Sequence, residues 1–264
     1  IEKIRESSNE ELLGIILRGR LWGIDAAKEI LERLKRGKIP NPKDYLRAIL
    51  GIKVKSPSQE KKVEELKKEV VERLLEGILE ENDILVLLDE IKSQKTRDEI
   101  AERFLSESEK IGNQVLTKII RRTVEPKNKA AKKLLKQYLS TDDLMVIEEE
   151  CDGFLQIEAF KKHKRKGISN EDGIYIAGYI PALANQSWKE IKERKLHPDD
   201  LLEICTCTDS EKVAREAATK LWQEGKLDKQ HLIYLFKNPQ MVKGKVPERI
   251  REEIGEKLLE FELE

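Results

Sequence analysis

The sequence predicts an all-α fold, an α-solenoid of about eight stacked helical hairpins, and three observations predict it. First, apolar stretches open at Gln114-Val115-Leu116, Asp143-Leu144, Asp172-Gly173-Ile174, Asp200-Leu201 and Gln230-His231-Leu232, about 28 to 31 residues apart. Second, some 14 to 16 residues after each start comes a second helix with a small or apolar residue at its packing position: Ala130-Ala131, Ala159, Trp188 and Ala217-Ala218. Small residues there let helices approach closely. Third, no strand-like alternation of any length interrupts the pattern.

Taken in order, the first hairpin runs from Asn9-Glu10-Glu11-Leu12-Leu13 to Ala26-Ala27 and Ile30-Leu31-Leu34. The second opens near Asp44-Tyr45-Leu46 and is lengthened by an inserted loop at 51–59, which includes Gly51, Pro57 and Gln59 and is read either as a recognition loop or as a tolerated insertion. The third pairs Asp83-Ile84-Leu85 with Ile100-Ala101 and Phe104-Leu105. Five more follow at the regular spacing. Ser8 or Asn9, Asn82, Thr141, Asn170 and Pro198-Asp199 are expected to cap helix starts. Gly37, Pro40, Pro42, Gly112, Gly167, Gly225 and Pro239 mark turns and ends. Apolar residues are spread evenly, so residues 1–264 are expected to form one repeat domain.

The segment from Asp209 to Leu221, DSEKVAREAATKL, followed by Gly225, Asp228 and His231-Leu232-Ile233-Tyr234-Leu235-Phe236, resembles the short HEAT-like repeat of about 30 residues found in phycobilin lyases. The resemblance is best over 209–236 and weaker from Asn128 to Ile147; elsewhere only the period is shared. Trp188 departs from it by replacing a small residue, and Gly178-Tyr179-Ile180-Pro181 by breaking a helix where the pattern would continue. The resemblance implies architecture and a tendency to bind macromolecules. It implies no particular chemistry.

Charged residues make up 39 % of the chain, with 51 basic and 51 acidic side chains, while aromatics are only 5 %. This Lys/Glu-rich balance resembles a thermophile surface and names no partner. The apolar runs are too short to span a bilayer, and no leader opens the sequence, so a cytoplasmic protein without membrane contact is expected. Cys151, Cys205 and Cys207 lack a four-ligand spacing and are expected to be buried free thiols. His163, His197 and His231 recur at an interval of 34 but at different repeat positions, so no metal site is expected. No cofactor is expected. Nor is there a phosphate-gripping glycine loop or serine elbow, and no catalytic residue is assigned.

Between Lys110 and Leu139 nine basic residues face one acidic residue, Glu125. Arg121, Arg122, Lys129, Lys132, Lys133 and Lys136 belong to this stretch; the next repeat adds Lys161, Lys162, Lys164 and Arg165. Laying Ala131 on Ala159 puts Lys133 opposite Lys161 and Lys136 opposite Lys164, which predicts a positive ridge. The competing reading is a solvated face neutralised by Glu148, Glu149, Glu150 and Asp152. Tyr175, Tyr179 and Trp188 follow the ridge; exposed, they would stack on a ligand, and buried, they would fill the core around a kinked helix. Trp22 and Trp222 are expected in the core. The function expected first is a scaffold that binds another protein or peptide in a groove; the alternative is non-sequence-specific binding of nucleic acid through phosphates.

Overall fold

The computed structural model describes residues 2–18, 22–39, 41–54, 57–223 and 252–256. Through residue 223 it shows fifteen helices: α1 (Glu2–Glu6), α2 (Asn9–Leu17), α3 (Gly23–Lys35), α4 (Lys43–Leu50), α5 (Pro57–Glu76), α6 (Glu81–Glu90), α7 (Gln94–Glu107), α8 (Asn113–Arg122), α9 (Lys127–Leu134), α10 (Thr141–Glu150), α11 (Gly153–Lys166), α12 (Asn170–Tyr179), α13 (Ala184–Ile191), α14 (Pro198–Cys207) and α15 (Glu211–Gln223). The fold is all-α, with no strand among the described residues. The expected hairpin at Gln230, with Gly225, Asp228, the stretch from His231 to Phe236 and Pro239, lies outside the described residues, as does Pro40.

The chain divides into two compact units, Ile1–Tyr138 and Leu139–Glu264. In the first, α2 pairs with α3, α4 with α5, α6 with α7 and α8 with α9, while α2, α4, α6 and α8 pack each on the next. In the second, α10 pairs with α11, α12 with α13 and α14 with α15; α12 packs on α14 and α13 on α15. Phe160, Ile168, Ile176, Ile180 and Leu183, with Met145 and Ile157 against them, join the α10–α11 hairpin to the next. Helices thus pack against their neighbours in chain order.

Local chemistry sets the helix starts, one residue earlier than expected in several cases. A capping side chain must accept from the N–H three residues on, and an acid there must return to the cap's own N–H. Ser8 with Glu11, Ser140 with Asp143, and His197 with Asp200 meet that condition, whereas Thr141 and Pro198 already lie inside the helix. Ser169, not Asn170, caps α12, and Glu80, not Asn82, caps α6. The expected 51–59 loop is shorter than the sequence suggests, because Pro57 starts α5, a place where its fixed φ and missing N–H cost nothing. Val63, Leu66, Val70 and Leu74 then form the buried stripe of that 20-residue helix.

Small packing residues are where the period puts them: Ala26, Ala27, Ala101, Ala130, Ala131, Ala159 and Ala217 are fully buried. Trp188 breaks that rule, and the close approach moves to the partner helix. A Cβ on Gly173 would stand 2.4 Å from Ile191 Cγ2, so α12 and α13 touch through the glycine instead. Nor does Gly178-Tyr179-Ile180-Pro181 kink a continuous helix. α12 ends at Tyr179, a turn holds Pro181, and α13 begins at Ala184. Gly167 closes α11 at φ +91°, in the left-handed region that a side chain disfavours.

Candidate interaction surface

A helix leaves its last carbonyls without partners, and its C-terminus is partly negative, so cations gather there. Basic residues of the expected ridge cluster accordingly: Arg121 and Arg122 in the last turn of α8, Lys132 and Lys133 in that of α9, and His163 to Lys166 in that of α11. Repeatedly, a long side chain in or just after one second helix reaches the carbonyls at or just beyond the end of the preceding second helix. Arg103 donates to the Leu75 and Gly77 carbonyls, Lys133 to Ser108 at 3.1 Å and Gln137 to Ile111 at 2.9 Å. In the second unit Arg194 donates to the Ile168 carbonyl at 2.8 Å, and Lys220 to those of Lys192 and Arg194. Hairpin stacking is therefore closed by charge-assisted hydrogen bonds as well as by apolar burial.

This bonding divides the expected ridge. Lys129 pairs with Glu102 at 2.5 Å, Arg122 with Asp89 at 3.1 Å and Lys164 with Glu190 at 2.6 Å, while Lys133 is committed to a carbonyl. Lys132, Lys136, Lys161 and Arg165 are exposed and Lys162 is half-buried. Arg121 is exposed and makes contacts of its own. The residues from Arg121 to Lys136 belong to the first unit, and those from Lys161 to Arg165 to the second.

Of the expected aromatic contacts, Tyr175 and Tyr179 are 39 % and 48 % exposed, whereas Trp188 is 3 % exposed and lies in the core. The indole Nε1 of Trp188 donates to Glu216 Oε2 at 2.8 Å, fastening α13 to α15. The two tyrosines lie one helical turn apart on α12, with ring centroids 5.1 Å apart and planes inclined by 31°. Cys207 Sγ on α14 lies 3.3 Å from the Tyr179 hydroxyl, and Cys207, then burial, then Glu203 hold that phenol above its ordinary pKa. Cys151 and Cys205 are buried thiols, whereas Cys207, expected to be buried, is half-exposed. Trp22, expected in the core, is 54 % exposed, while Trp222 packs against the core of the second unit.

Sequence reasoning missed a buried charged cluster. Glu148, expected among the solvated neutralising acids, is fully buried, and so is His163. His163 Nδ1 stands 3.2 Å from Glu148 Oε1, and its Nε2 stands 3.3 Å from Asp172 Oδ2. Burial raises the carboxyl pKa of Glu148 against the opposing pull of His163. Burial lowers that of His163, but Glu148 and then Asp172 outweigh it, so the imidazole pKa is raised as well. The cluster thus holds a proton more tightly than the separated groups would. Its signal in the sequence is a polar residue on a buried stripe: Leu144 then Glu148, and Leu155, Ala159 then His163, each four apart. Among the described residues no three His, Cys, Asp or Glu side chains are placed to hold a metal ion, and no helix is long and apolar enough to cross a membrane.

No protein-family model, curated protein or solved structure matches the chain.

Proposed function

We propose that the chain is an α-solenoid of short HEAT-like hairpins whose function is to hold other proteins, a scaffold for protein–protein interaction. The observation that carries this reading is the repeated stacking bond. Arg103, Lys133, Arg194 and Lys220 each tie one hairpin to the one before it over 25 to 28 residues. Stacking of this kind is nearest-neighbour in character and leaves rows of equivalent outward side chains, which are the usual docking surface of repeat proteins. Small-angle scattering tests the shape: an elongated particle is expected, and a sphere of the same mass would remove the solenoid. Photo-crosslinkers placed singly at outward positions of the first helices test the role, with polypeptides captured from a host extract at a contiguous subset of positions as the expected result.

A second reading is favoured by one observation. Lys132, Lys136, Lys161, Lys162 and Arg165 take part in no ion pair among the described residues. They would neutralise phosphates without reading bases. Duplex and single-stranded nucleic acids titrated at rising salt test it: micromolar affinity with a steep negative salt slope supports phosphate contact, and no binding at low salt removes it.

A further inference from the structure

We infer that the outer side of α12, with the adjoining turns of α14, docks a lysine- or arginine-rich segment of a partner protein. This rests on the scaffold reading above and gives the partner its chemistry. α12 buries Ile174, Ile176 and Ala177 on one side, yet keeps two tyrosine rings in water on the other. Those rings are not loose. They lie against each other, and the Tyr179 hydroxyl is held by Cys207 across to α14, so little side-chain freedom is left to lose when a ligand arrives.

The charge around the pair selects the ligand. α10, α12 and α14 read TDDLMVIEEE, NEDGIYIAGY and PDDLLEICTC, with no lysine or arginine in any of them. Many of their carboxylates sit in first turns, where capping and the helix dipole account for them. Glu203 is different: it lies past the first turn of α14 and acts on Tyr179. Glu171 is exposed one turn before Tyr175 on α12. An aromatic face beside carboxylates attracts an ammonium or guanidinium group through the ring quadrupole and the charge together. Phosphates find no cation on these helices, so a nucleic acid is disfavoured on this face.

The experiment titrates the full chain with a fluorescent twelve-residue peptide of alternating Arg and Leu. A fluorescent Glu/Leu peptide and a labelled 20-base-pair duplex are titrated separately as controls. Saturable binding is expected, weakened at least about tenfold in the Tyr175→Ala/Tyr179→Ala variant and severalfold in Glu203→Lys. Tyr175→Phe should retain most of the affinity, because the ring face does the work; Tyr179→Phe tests how far the Cys207 contact holds the pair in place. Circular dichroism must match wild type in every variant compared. Affinity that is indifferent to the tyrosines, or direct binding of the acidic peptide as tight as that of the basic one, overturns the inference. The scaffold reading fails separately: it falls if no crosslinker position captures a polypeptide, whereas capture at other helices with no peptide binding here sinks only this surface.

Discussion

His163 and Glu148 are both fully buried, and their side chains meet at 3.2 Å between α10 and α11, with Asp172 of α12 closing the other side of the ring. The pH dependence follows from the direction of the shifts. A histidine whose folded pKa is raised contributes stability that is complete below its unfolded value of about 6.5 and is lost as pH climbs through the folded one. Glu148, also raised, binds its proton more tightly when folded, so it too destabilises as pH rises above about 4.3. The melting temperature of wild type relative to the double variant Glu148→Gln/His163→Gln should therefore shrink as pH rises from about 4.3 toward alkaline values. Parallel melting curves across that range would remove the cluster as a titrating element.

Removing one member of the cluster should cost more than removing its charge outright. Glu148→Leu leaves an imidazole buried against a single carboxylate and is expected to lower stability by roughly 3 kcal/mol in urea denaturation. Adding His163→Leu should recover part of that loss. A double variant as unstable as the sum of the two singles would mean that the groups do not interact.

Asp83 is the counterpart in the first unit. It is fully buried, accepts from Arg47 Nε at 2.8 Å and from the Glu80 backbone N–H at 2.8 Å, and has Lys43 Nζ at 3.3 Å. One carboxylate thus caps α6 and anchors α4. Asp83→Ala should cost about 3 kcal/mol, and Arg47→Lys less, because lysine keeps the charge but loses the guanidinium fork. Chemical denaturation measures both.

Gly173→Ala sets helix propensity against packing. Alanine favours a helix interior by about 1 kcal/mol. Here its methyl would meet Ile191 Cγ2 at 2.4 Å, where Ser187 Oγ also donates to the Gly173 carbonyl at 2.8 Å. Net destabilisation of about 1–3 kcal/mol is expected, partly relieved by Ile191→Ala. Stabilisation by the single change would contradict the close contact.

The basic residues should separate by role under alanine substitution. Lys133→Ala frees the Ser108 carbonyl at the end of α7 and should cost about 1 kcal/mol. Lys132→Ala and Lys161→Ala should stay within about 0.5 kcal/mol. Equal effects at all three would dissolve the distinction between stacking and surface lysines.

Much of the architecture was legible because its causes are local. The spacing of Leu116, Leu144 and Leu201, the buried alanines of the second helices, and Gly167 at a helix end are all read within one or two turns. Helix period and turn chemistry act over that same range. Boundaries slipped by a residue or two where a cap depends on a side chain's reach, as at Ser140 and Ser169. Trp188 and the tyrosines looked alike in the sequence, since helical spacing does not say which side of α12 or α13 meets another hairpin.

By itself, then, the sequence determined the helical class, the hairpin period and the positions of the small packing residues. Tertiary structure alone decided that Lys133 serves a carbonyl 25 residues back, that Glu148 and His163 leave the solvent, and that Tyr179 turns toward Cys207. The reason is desolvation. A charge costs little or much according to what surrounds it, and those surroundings come from residues far away along the chain.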